Sequence, residues 1–210
     1  MSAASSVSTV STVSEVSTSL DELPVAPAGV PGITRPWQVE DLLDLPGPYR
    51  HEIVDGGLLT MPAPRPLHQW LCQELFLQLT AQAPPEWRPT LEEGVPTGGT
   101  DYRVPDLTVS RSRGRPRKGE LLVDLADLAL VVEITLTTEK QDRVLKPVEY
   151  AAVGIPFFWR LEAEPGFVLV THELQGDRYA ETGRWVEGRV SPVGPFPVVV
   201  DLDALRGDED

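Results

Sequence analysis

Cysteine is almost missing from this chain of 210 residues, and long apolar runs are missing altogether. The single cysteine, Cys72, excludes an intramolecular disulfide and a cysteine-rich zinc site, and it favours a reducing compartment, so we expect a cytoplasmic protein. No run of 18 apolar residues is present, and the first residues lack the basic start and apolar stretch of a secretory signal, so we expect neither a membrane span nor export. A glycine-rich phosphate loop is also missing, which argues against an enzyme driven by nucleoside triphosphates.

Basic residues are scarce relative to acidic ones. The chain has 18 Lys and Arg against 32 Asp and Glu, which gives a formal net charge of −14. Residues 1–35 carry −2 and residues 201–210 carry −4, so −8 remains on the part between them. This excess of acid argues against avid, non-specific binding to nucleic acid. Any affinity for DNA is therefore expected to be weak and strongly dependent on salt.

The rest of the composition is that of an ordinary globular protein, with 41% hydrophobic and 24% charged residues, and the length suits one domain. Residues 1–35 are rich first in Ser, Thr and Val and then in Pro, which predicts a disordered tail. We therefore expect a single domain over residues 36–205, followed by a short acidic end at residues 206–210.

Helix and strand patterns alternate along the predicted domain. Apolar spacing predicts helices over residues 39–45, 67–82 and 139–153, with Pro147 causing a kink or an early break in the last one. Asp55-Gly56 between two apolar runs predicts a hairpin with a type I′ turn. A second hairpin is predicted from residues 89–95 and 102–110, joined through residues 97–101. Residues 128–135 are predicted to form a buried central strand. Four later β-like runs are residues 157–161, 167–173, 177–185 and 197–205. This order predicts an α/β or α+β domain built on one mixed sheet.

An acidic residue, Glu133, interrupts the most apolar run of the chain. Alternation along a strand places it on the face opposite to that of Leu128, Leu130, Val132 and Ile134. A carboxylate at that depth is costly unless it is paired or holds a metal. The alternative is a residue at the end of the strand that emerges into solvent or pairs with an arginine.

A second candidate carboxylate, Asp106, follows Pro105 inside another β-like run. Pro105 has no backbone N–H, which places this strand at an edge or a bulge, where functional side chains are often found. Asp106 and Glu133 on neighbouring strands can converge, and with a backbone carbonyl they would form an oxygen-rich site for Mg²⁺ or Mn²⁺. The alternative is that Asp106 caps a turn after Pro105.

Pro105-Asp106, followed by Glu133-Ile134-Thr135 on a later apolar strand, resembles the PD-(D/E)xK nuclease motif. More specifically, the chain from about Trp37 to Leu174 resembles the Uma-type restriction endonuclease family of that superfamily. Five ordered blocks carry the resemblance: residues 49–56 (YRHEIVDG), residues 62–64 (PAP) with His68 opening a helix, residues 104–106 (VPD), residues 131–133 (VVE), and residues 142–147 (DRVLKP) running into 150–156 (YAAVGIP). The fold that it implies is a restriction-endonuclease-like mixed β-sheet flanked by helices, with additional β-hairpins.

The resemblance also implies an activity and a set of site residues. The activity is metal-dependent cleavage of DNA, with Asp106 and Glu133 as ligands of Mg²⁺ or Mn²⁺ and Glu52 as a third acidic member of the site. His68 is then close to the site, either as a structural histidine or as a residue that lines it. Its spacing of four from Cys72 can make a pair on one helix face, but one Cys and one His do not make a zinc site.

The lysine of the superfamily motif has no counterpart at its usual place in this chain. It would stand two residues after the glutamate, where Thr135 is found, and the loop that follows also departs from the family pattern. A basic residue from the next helix is expected to replace it, and Lys146 is the candidate, with Lys140 as the runner-up. That lysine would orient the attacking water or stabilise the developing charge.

A cluster of basic residues follows the strand that carries Asp106, and it is expected to start near the metal. Such a flexible loop would contact DNA phosphates, or else it is simply solvated. Its members are Arg111, Arg113, Arg115, Arg117 and Lys118.

Cutting both strands of DNA needs two sites, so a homodimer is a further expectation. Two other functions are compatible with the same residues. The first is a catalytically decayed copy of the fold that serves as a binding or regulatory module, which Thr135 favours and the retention of both Asp106 and Glu133 opposes. The second is hydrolysis of a small phosphorylated molecule.

Overall fold

The computed structural model describes residues 35–45, 50–114, 122–136, 144–164 and 166–207. Most of the predicted tail and the last three residues of the predicted acidic end lie outside these ranges. No helix within them combines the length and the hydropathy that a membrane span requires. In chain order the elements are a 3-10 helix (Val39–Asp44), β1 (Arg50–Val54), β2 (Gly57–Met61), α1 (Pro66–Gln82), β3 (Trp87–Leu91), β4 (Val95–Gly98), β5 (Asp101–Arg103), β6 (Leu107–Arg111), β7 (Leu128–Thr135), α2 (Lys146–Ala152), β8 (Phe157–Glu162), β9 (Val168–Gln175), β10 (Arg178–Trp185), β11 (Arg189–Val190), β12 (Val200–Asp201) and α3 (Leu202–Arg206).

Strand β7 lies inside a six-stranded sheet whose order is β10-β9-β8-β7-β6-β3. β7 and β8 are parallel, and the other neighbours in this sheet are antiparallel. All eight residues of β7 are buried, which is typical of a strand that is covered on both faces. A four-stranded sheet with the order β2-β1-β5-β4 and the pair β11-β12 are the other sheets of the described ranges. The predicted mixed sheet with flanking helices and extra hairpins is confirmed.

Helices pack against both faces of the six-stranded sheet. Leu71, Leu75 and Leu79 recur at every fourth position of α1, so they form one apolar stripe, and they are buried in the cluster that covers the first face. On the second face, Tyr150 of α2 is buried in a separate cluster with Phe158 of β8. The central strand is therefore inaccessible to water from either side.

The alternation predicted for β7 fails at its first residue. Leu128 was expected on the face of Val132, but it lies in the cluster of Val131. The ladder between β6 and β7 shifts its register between Val109 and Ser110, and such a bulge changes which face the following side chains occupy.

The first predicted hairpin is confirmed. β1 and β2 pair antiparallel around Asp55-Gly56, and both turn residues have positive φ angles, 50° and 72°. Two left-handed residues in succession are what a type I′ turn requires.

The second predicted hairpin divides between the two larger sheets. Its outer parts, β3 and β6, pair in the six-stranded sheet, whereas its inner parts, β4 and β5, pair in the four-stranded sheet. The segment 104–106 connects β5 to β6 and belongs to neither ladder, and it contains Pro105, which has no N–H to donate. Asp106 consequently lies at the boundary between the two sheets.

The ends of the domain differ in detail from the prediction. The predicted helix at residues 39–45 forms as a 3-10 helix, and residues 137–143 of the third predicted helix lie outside the described ranges. Pro147 is in the first turn of α2, where a missing N–H breaks no intrahelical bond, so it starts this helix. The last predicted strand is only Val200–Asp201, because Asp201 accepts the backbone N–H of Ala204 and caps α3.

Gly183 in β10 allows Trp185 to fold back over the strand. A Cβ atom at residue 183 would overlap the Trp185 ring, and this ring packs against the main core cluster. Gly183→Ala is therefore expected to lower the free energy of unfolding by about 1–3 kcal/mol, the usual cost of overpacking. Urea unfolding followed by tryptophan fluorescence measures this difference.

Gly166→Ala is the matched control, because nothing lies within 4 Å of a Cβ at that glycine. Its effect should stay within about 0.5 kcal/mol, as for other surface substitutions. Equal losses in Gly183→Ala and Gly166→Ala would contradict the overlap with Trp185.

Candidate active site

Asp106 is buried beside the central strand, with only 3% of its surface exposed. Its Oδ2 accepts the backbone N–H of Ile134 at 2.8 Å and lies 3.2 Å from Nε2 of His68. Its Oδ1 accepts a hydrogen bond from Nη1 of Arg50 at 3.0 Å. The carboxylate therefore joins three distant parts of the chain, and it does not cap a local turn.

Neighbouring cations keep the Asp106 carboxyl ionised in spite of its burial. Burial alone would raise its pKa, but the hydrogen bond and charge of His68, with the charges of Arg50 and Lys146, outweigh it. The net result is a pKa of about 2. Burial lowers the pKa of His68, whereas the hydrogen bond to Asp106 and the negative charge of Asp106 raise it. The two upward effects together outweigh burial, so the pKa of His68 is above its ordinary value. Asp106 is consequently anionic at neutral pH.

Glu133 is held by two side chains of α2. Its Oε2 accepts a hydrogen bond from Nζ of Lys146 at 3.0 Å, and its Oε1 accepts one from the Tyr150 hydroxyl at 2.7 Å. Its exposed fraction is 2%, so the alternative of a residue emerging into solvent is wrong. Its Oε2 forms an ion pair with Lys146. The Glu133 charge also contributes, with burial, to raising the pKa of Tyr150.

Asp106 and Glu133 lie beside each other because β6 and β7 are neighbours. Leu107 of β6 pairs with Val132 of β7 in an antiparallel ladder, so the residue before Leu107 lies beside the residue after Val132. Both carboxylates act on Arg50: burial lowers the pKa of this guanidinium, but the charges of Asp106 and Glu133 help to raise it above its ordinary value. The structure thus brings the two predicted metal ligands together.

Lys146 lies where the motif lysine of the superfamily would be needed. It is the first residue of α2, its exposed fraction is 3%, and it reaches the glutamate of the motif from the helix. Thr135 is buried at the usual lysine position, and its Oγ1 has no hydrogen-bond partner among the described residues. The runner-up, Lys140, lies outside those residues. The geometry favours Lys146 as the replacement, while its role in catalysis stays a prediction.

Glu52 belongs to an adjoining network of buried charges. Its Oε2 accepts a hydrogen bond from Nη1 of Arg103 at 3.0 Å, and its Oε1 accepts the backbone N–H of Val104 at 3.1 Å. Arg103 also donates from Nε and Nη2 to the two oxygens of Glu149, at 2.7 and 2.6 Å. Both oxygens of Glu52 accept a hydrogen bond and this residue holds Arg103 in place, while its part in a metal site stays a prediction.

His68 and Cys72 form the predicted pair on one face of α1. Nδ1 of His68 is 3.4 Å from Sγ of Cys72, while Nε2 faces Asp106. Burial raises the pKa of the Cys72 thiol, and the Asp106 charge raises it further, so the thiol is protonated at neutral pH. His68 is therefore fixed by its contacts, as expected of a structural histidine, and it also lies against Asp106, as expected of a residue that lines the site.

Arg50, Tyr150 and Arg103 are members of the site that were not predicted, although the sequence contains a signal for Arg50 and Tyr150. Arg50 and Glu52 are charged residues two positions apart, so they lie on one face of β1. Lys146 and Tyr150 are four positions apart, so they lie on one face of α2. The burial of Arg103 has no comparable signal, because its partners are 46 and 51 residues away.

The basic loop does not start near the carboxylates, and that expectation is wrong. Asp106 precedes β6 and Arg111 ends it, so about 16 Å of extended strand separates them. The Arg111 guanidinium lies 4.8 Å from the centre of a ring of Trp87, and Arg113 is paired with Asp127. Arg115, Arg117 and Lys118 lie outside the described residues, so phosphate contact by the loop stays a prediction.

An open cleft of about 470 Å³ lies next to the carboxylates. Arg50 connects the two, because it lines the cleft and donates to Asp106. The cleft lies between the start of α1 and strands β1 and β5, and its remaining walls are Leu42, His51, Pro62, Ala63, Pro64, Gln69, Glu92, Tyr102 and Val104. Arg50 is therefore the residue through which the cleft adjoins Asp106.

Known proteins agree with this architecture. The crystal structure of a "putative nuclease belonging to DUF820" from Anabaena variabilis is 21% identical, with a TM-score of 0.58, and the match covers 81% of this chain and 98% of that one. This likeness supports the fold. A comparison with curated proteins finds no match. The Uma2 family model, described as "Putative restriction endonuclease", matches residues 39–202. The resemblance seen in the sequence blocks is confirmed, and the chain belongs to the Uma2 family.

Proposed function

We propose that this protein is a metal-dependent DNA endonuclease that hydrolyses phosphodiester bonds at the carboxylates of Asp106 and Glu133. The observation that carries the proposal is the buried pair of carboxylates on neighbouring strands, with Lys146 bonded to Glu133. Membership of the Uma2 family supports the nuclease class. The two carboxylates provide negative charge for a metal ion, and the Lys146 ammonium provides positive charge beside it. These are the charges that phosphodiester hydrolysis requires.

The donor chemistry of the site suits Mg²⁺ or Mn²⁺. Both ions prefer oxygen ligands, and Asp106 is held anionic by its neighbours. Its carboxylate accepts hydrogen bonds from Arg50, His68 and Ile134, which fill three of about four acceptor positions. An ion bound by Asp106 and Glu133 would neutralise charge on the scissile phosphate and lower the pKa of a bound water.

The side chains of the protein supply the remaining roles. The Lys146 ammonium, held at Glu133 in a nearly dry site, orients the attacking water or stabilises the charge that develops on the phosphate. The Tyr150 hydroxyl fixes the second oxygen of Glu133. Arg50 lies at the mouth of the site, where it can receive a phosphate oxygen beside Asp106. His68 orients the Asp106 carboxylate.

DNA is the proposed substrate, and its affinity should be low in ordinary salt. The described part of the cleft offers Arg50 to phosphates but also contains Glu92, which lies 3.7 Å from Arg50. Because the whole chain is acidic, the attraction must come from a few local cations and will be screened by added salt. A homodimer would supply the two sites that double-strand cleavage needs.

Cleavage of supercoiled plasmid at low salt tests the proposal. The protein is expected to nick the plasmid with Mg²⁺ or Mn²⁺, and a chelator should abolish the reaction. Asp106→Asn and Glu133→Gln should lose it, because each removes one anionic ligand with little change of shape. Asp177→Asn is the matched control, since this exposed carboxylate is on the turn before β10.

Three results would contradict the assignment. Equal cleavage by the parent and both site variants would point to a contaminating nuclease. No cleavage of plasmid or single-stranded DNA by the parent with either ion, at low salt, would favour the decayed binding module. Cleavage of small phosphodiesters but not of DNA would support the second alternative.

A further inference from the structure

A third side chain lies against the His68–Cys72 pair and changes what the pair can bind. One ligand atom each from His68, Cys72 and Asp106 can be chosen so that all three lie within 4.8 Å of one another. The shortest separations are 3.4 Å between Nδ1 and Sγ and 3.2 Å between Nε2 and Oδ2. The pair on α1 is therefore one part of a three-donor cluster.

These donors are typical of zinc sites and not of magnesium sites. Zinc bonds of about 2.0–2.3 Å in a tetrahedron hold neighbouring ligand atoms roughly 3.5 Å apart. The two measured separations are close to that value but involve different nitrogens of the His68 ring, so the three donors taken one atom each lie within 4.8 Å and must draw closer around an ion. A thiolate and an imidazole select Zn²⁺ or Co²⁺ over Mg²⁺. The sequence expectation that one Cys and one His make no zinc site did not include the Asp106 carboxylate from the segment between β5 and β6.

We propose that His68, Cys72 and Asp106 form a second metal site that binds Zn²⁺ and related borderline ions, and that its occupation inhibits the enzyme. Three protein ligands leave a fourth position for water, as in zinc sites that are not purely structural. Asp106 is shared with the proposed Mg²⁺ site, so an ion bound by His68 and Cys72 takes this carboxylate away from the Mg²⁺ site and leaves Glu133 as its remaining proposed ligand. The inhibition rests on the proposed nuclease function, whereas zinc binding itself does not.

Binding requires only a local rearrangement. His68 faces Cys72 through Nδ1 and Asp106 through Nε2, so its ring must turn to offer one nitrogen to the ion. The ion also displaces the thiol proton, as metal binding to cysteine does in general. His68 keeps 17% of its side chain exposed at the start of α1, and this gives the ion a path into the cluster.

Cobalt spectroscopy of the full-length, metal-free, reduced protein tests the site without any need for cleavage. Co²⁺ bound by a thiolate gives a sulfur-to-metal charge-transfer band in the near ultraviolet. Since the chain contains one cysteine, such a band can come only from Cys72. We expect the band in the parent, its displacement by Zn²⁺, and its loss in Cys72→Ser.

The other two ligands are tested with His68→Gln and Asp106→Asn, and Glu133→Gln is the control. The first two should weaken Co²⁺ binding by at least about 10- to 100-fold, and the control should keep the band. Thermal unfolding of each variant shows that it is folded. The absence of the band in the parent would overturn the proposal. So would a Co²⁺ affinity of His68→Gln and Asp106→Asn equal to that of the parent.

Inhibition is then measured on plasmid cleavage in Mg²⁺. The Zn²⁺ concentration that halves the rate should rise about 10- to 100-fold in Cys72→Ser relative to the parent. Equal sensitivity of the two proteins would overturn the inhibitory role, even if the cobalt band is present. If the parent does not cleave DNA at all, the nuclease proposal fails, while the cobalt band still decides the metal site.

Discussion

Replacing Arg103 with methionine is expected to lower the free energy of unfolding by about 3–5 kcal/mol, the usual cost of removing one partner of a buried ion pair. Arg103 is 1% exposed and donates to both Glu52 and Glu149. Without it, the buried Glu52 carboxylate keeps, among the described residues, the hydrogen bond from the Val104 N–H but loses its ion pair. Urea unfolding followed by tryptophan fluorescence measures the loss.

Two further variants separate this effect from a general loss of packing. Arg103→Met combined with Glu52→Gln should recover part of the stability, because the neutral amide is less costly to bury than an unpaired charge. Arg184→Met removes an arginine paired with Glu181 on the surface, and no measurable change is expected there. A loss in Arg103→Met no larger than that in Arg184→Met would show that the buried network contributes nothing.

Replacing Lys146 with methionine is expected to reduce plasmid nicking by about 10²- to 10³-fold, as when one preorganised donor is removed from an active site. Methionine has a similar volume but provides no charge to Glu133. The Tyr150 hydroxyl still holds the other carboxylate oxygen, so the site keeps part of its shape. Single-turnover nicking rates give the change, and thermal unfolding shows whether the variant is folded.

A lysine restored at the motif position distinguishes a catalytic role of Lys146 from a structural one. Thr135 is on the same strand as Glu133, two residues later, and its hydroxyl has no partner within the described ranges. Thr135→Lys in the Lys146→Met background should recover at least part of the nicking rate. Lys140→Met tests the runner-up and should leave most of the rate. Full activity in Lys146→Met, or a loss only in Lys140→Met, would contradict the assignment.

Features determined by neighbouring residues could be predicted from the sequence. The Asp55-Gly56 turn and the apolar stripe of α1 depend on residues within a few positions, and both were found as predicted, except that Leu67, expected as the first residue of the stripe, is exposed. The division of the second hairpin between two sheets depends on which distant strands pair with each part, and nothing local to residues 89–110 specifies that choice. For the same reason the register shift beside Leu128 could not be predicted.

In the candidate site, too, features determined by neighbouring residues could be predicted and those determined by distant residues could not. Asp106 and Glu133 stood out as acids among apolar residues, because burying a charge is costly wherever the strand lies. Their partners did not stand out, since Arg50 is 56 positions from Asp106 and only the folded chain brings them together. The basic loop is close to Asp106 in sequence but not in space, because the full length of β6 separates them.

The position of Asp106 between the two sheets has a consequence for the folding pathway. Glu133 and its ladder belong to the six-stranded sheet, whereas Arg50 and Arg103 belong to the four-stranded one. An intermediate that has formed only the larger sheet would contain Glu133 without Arg50, whose guanidinium donates to Asp106 and interacts with the Glu133 charge. The proposed hydrolytic centre would therefore be complete only after the two sheets have docked. Proteolysis or local unfolding of the smaller sheet would inactivate it while leaving the larger sheet paired.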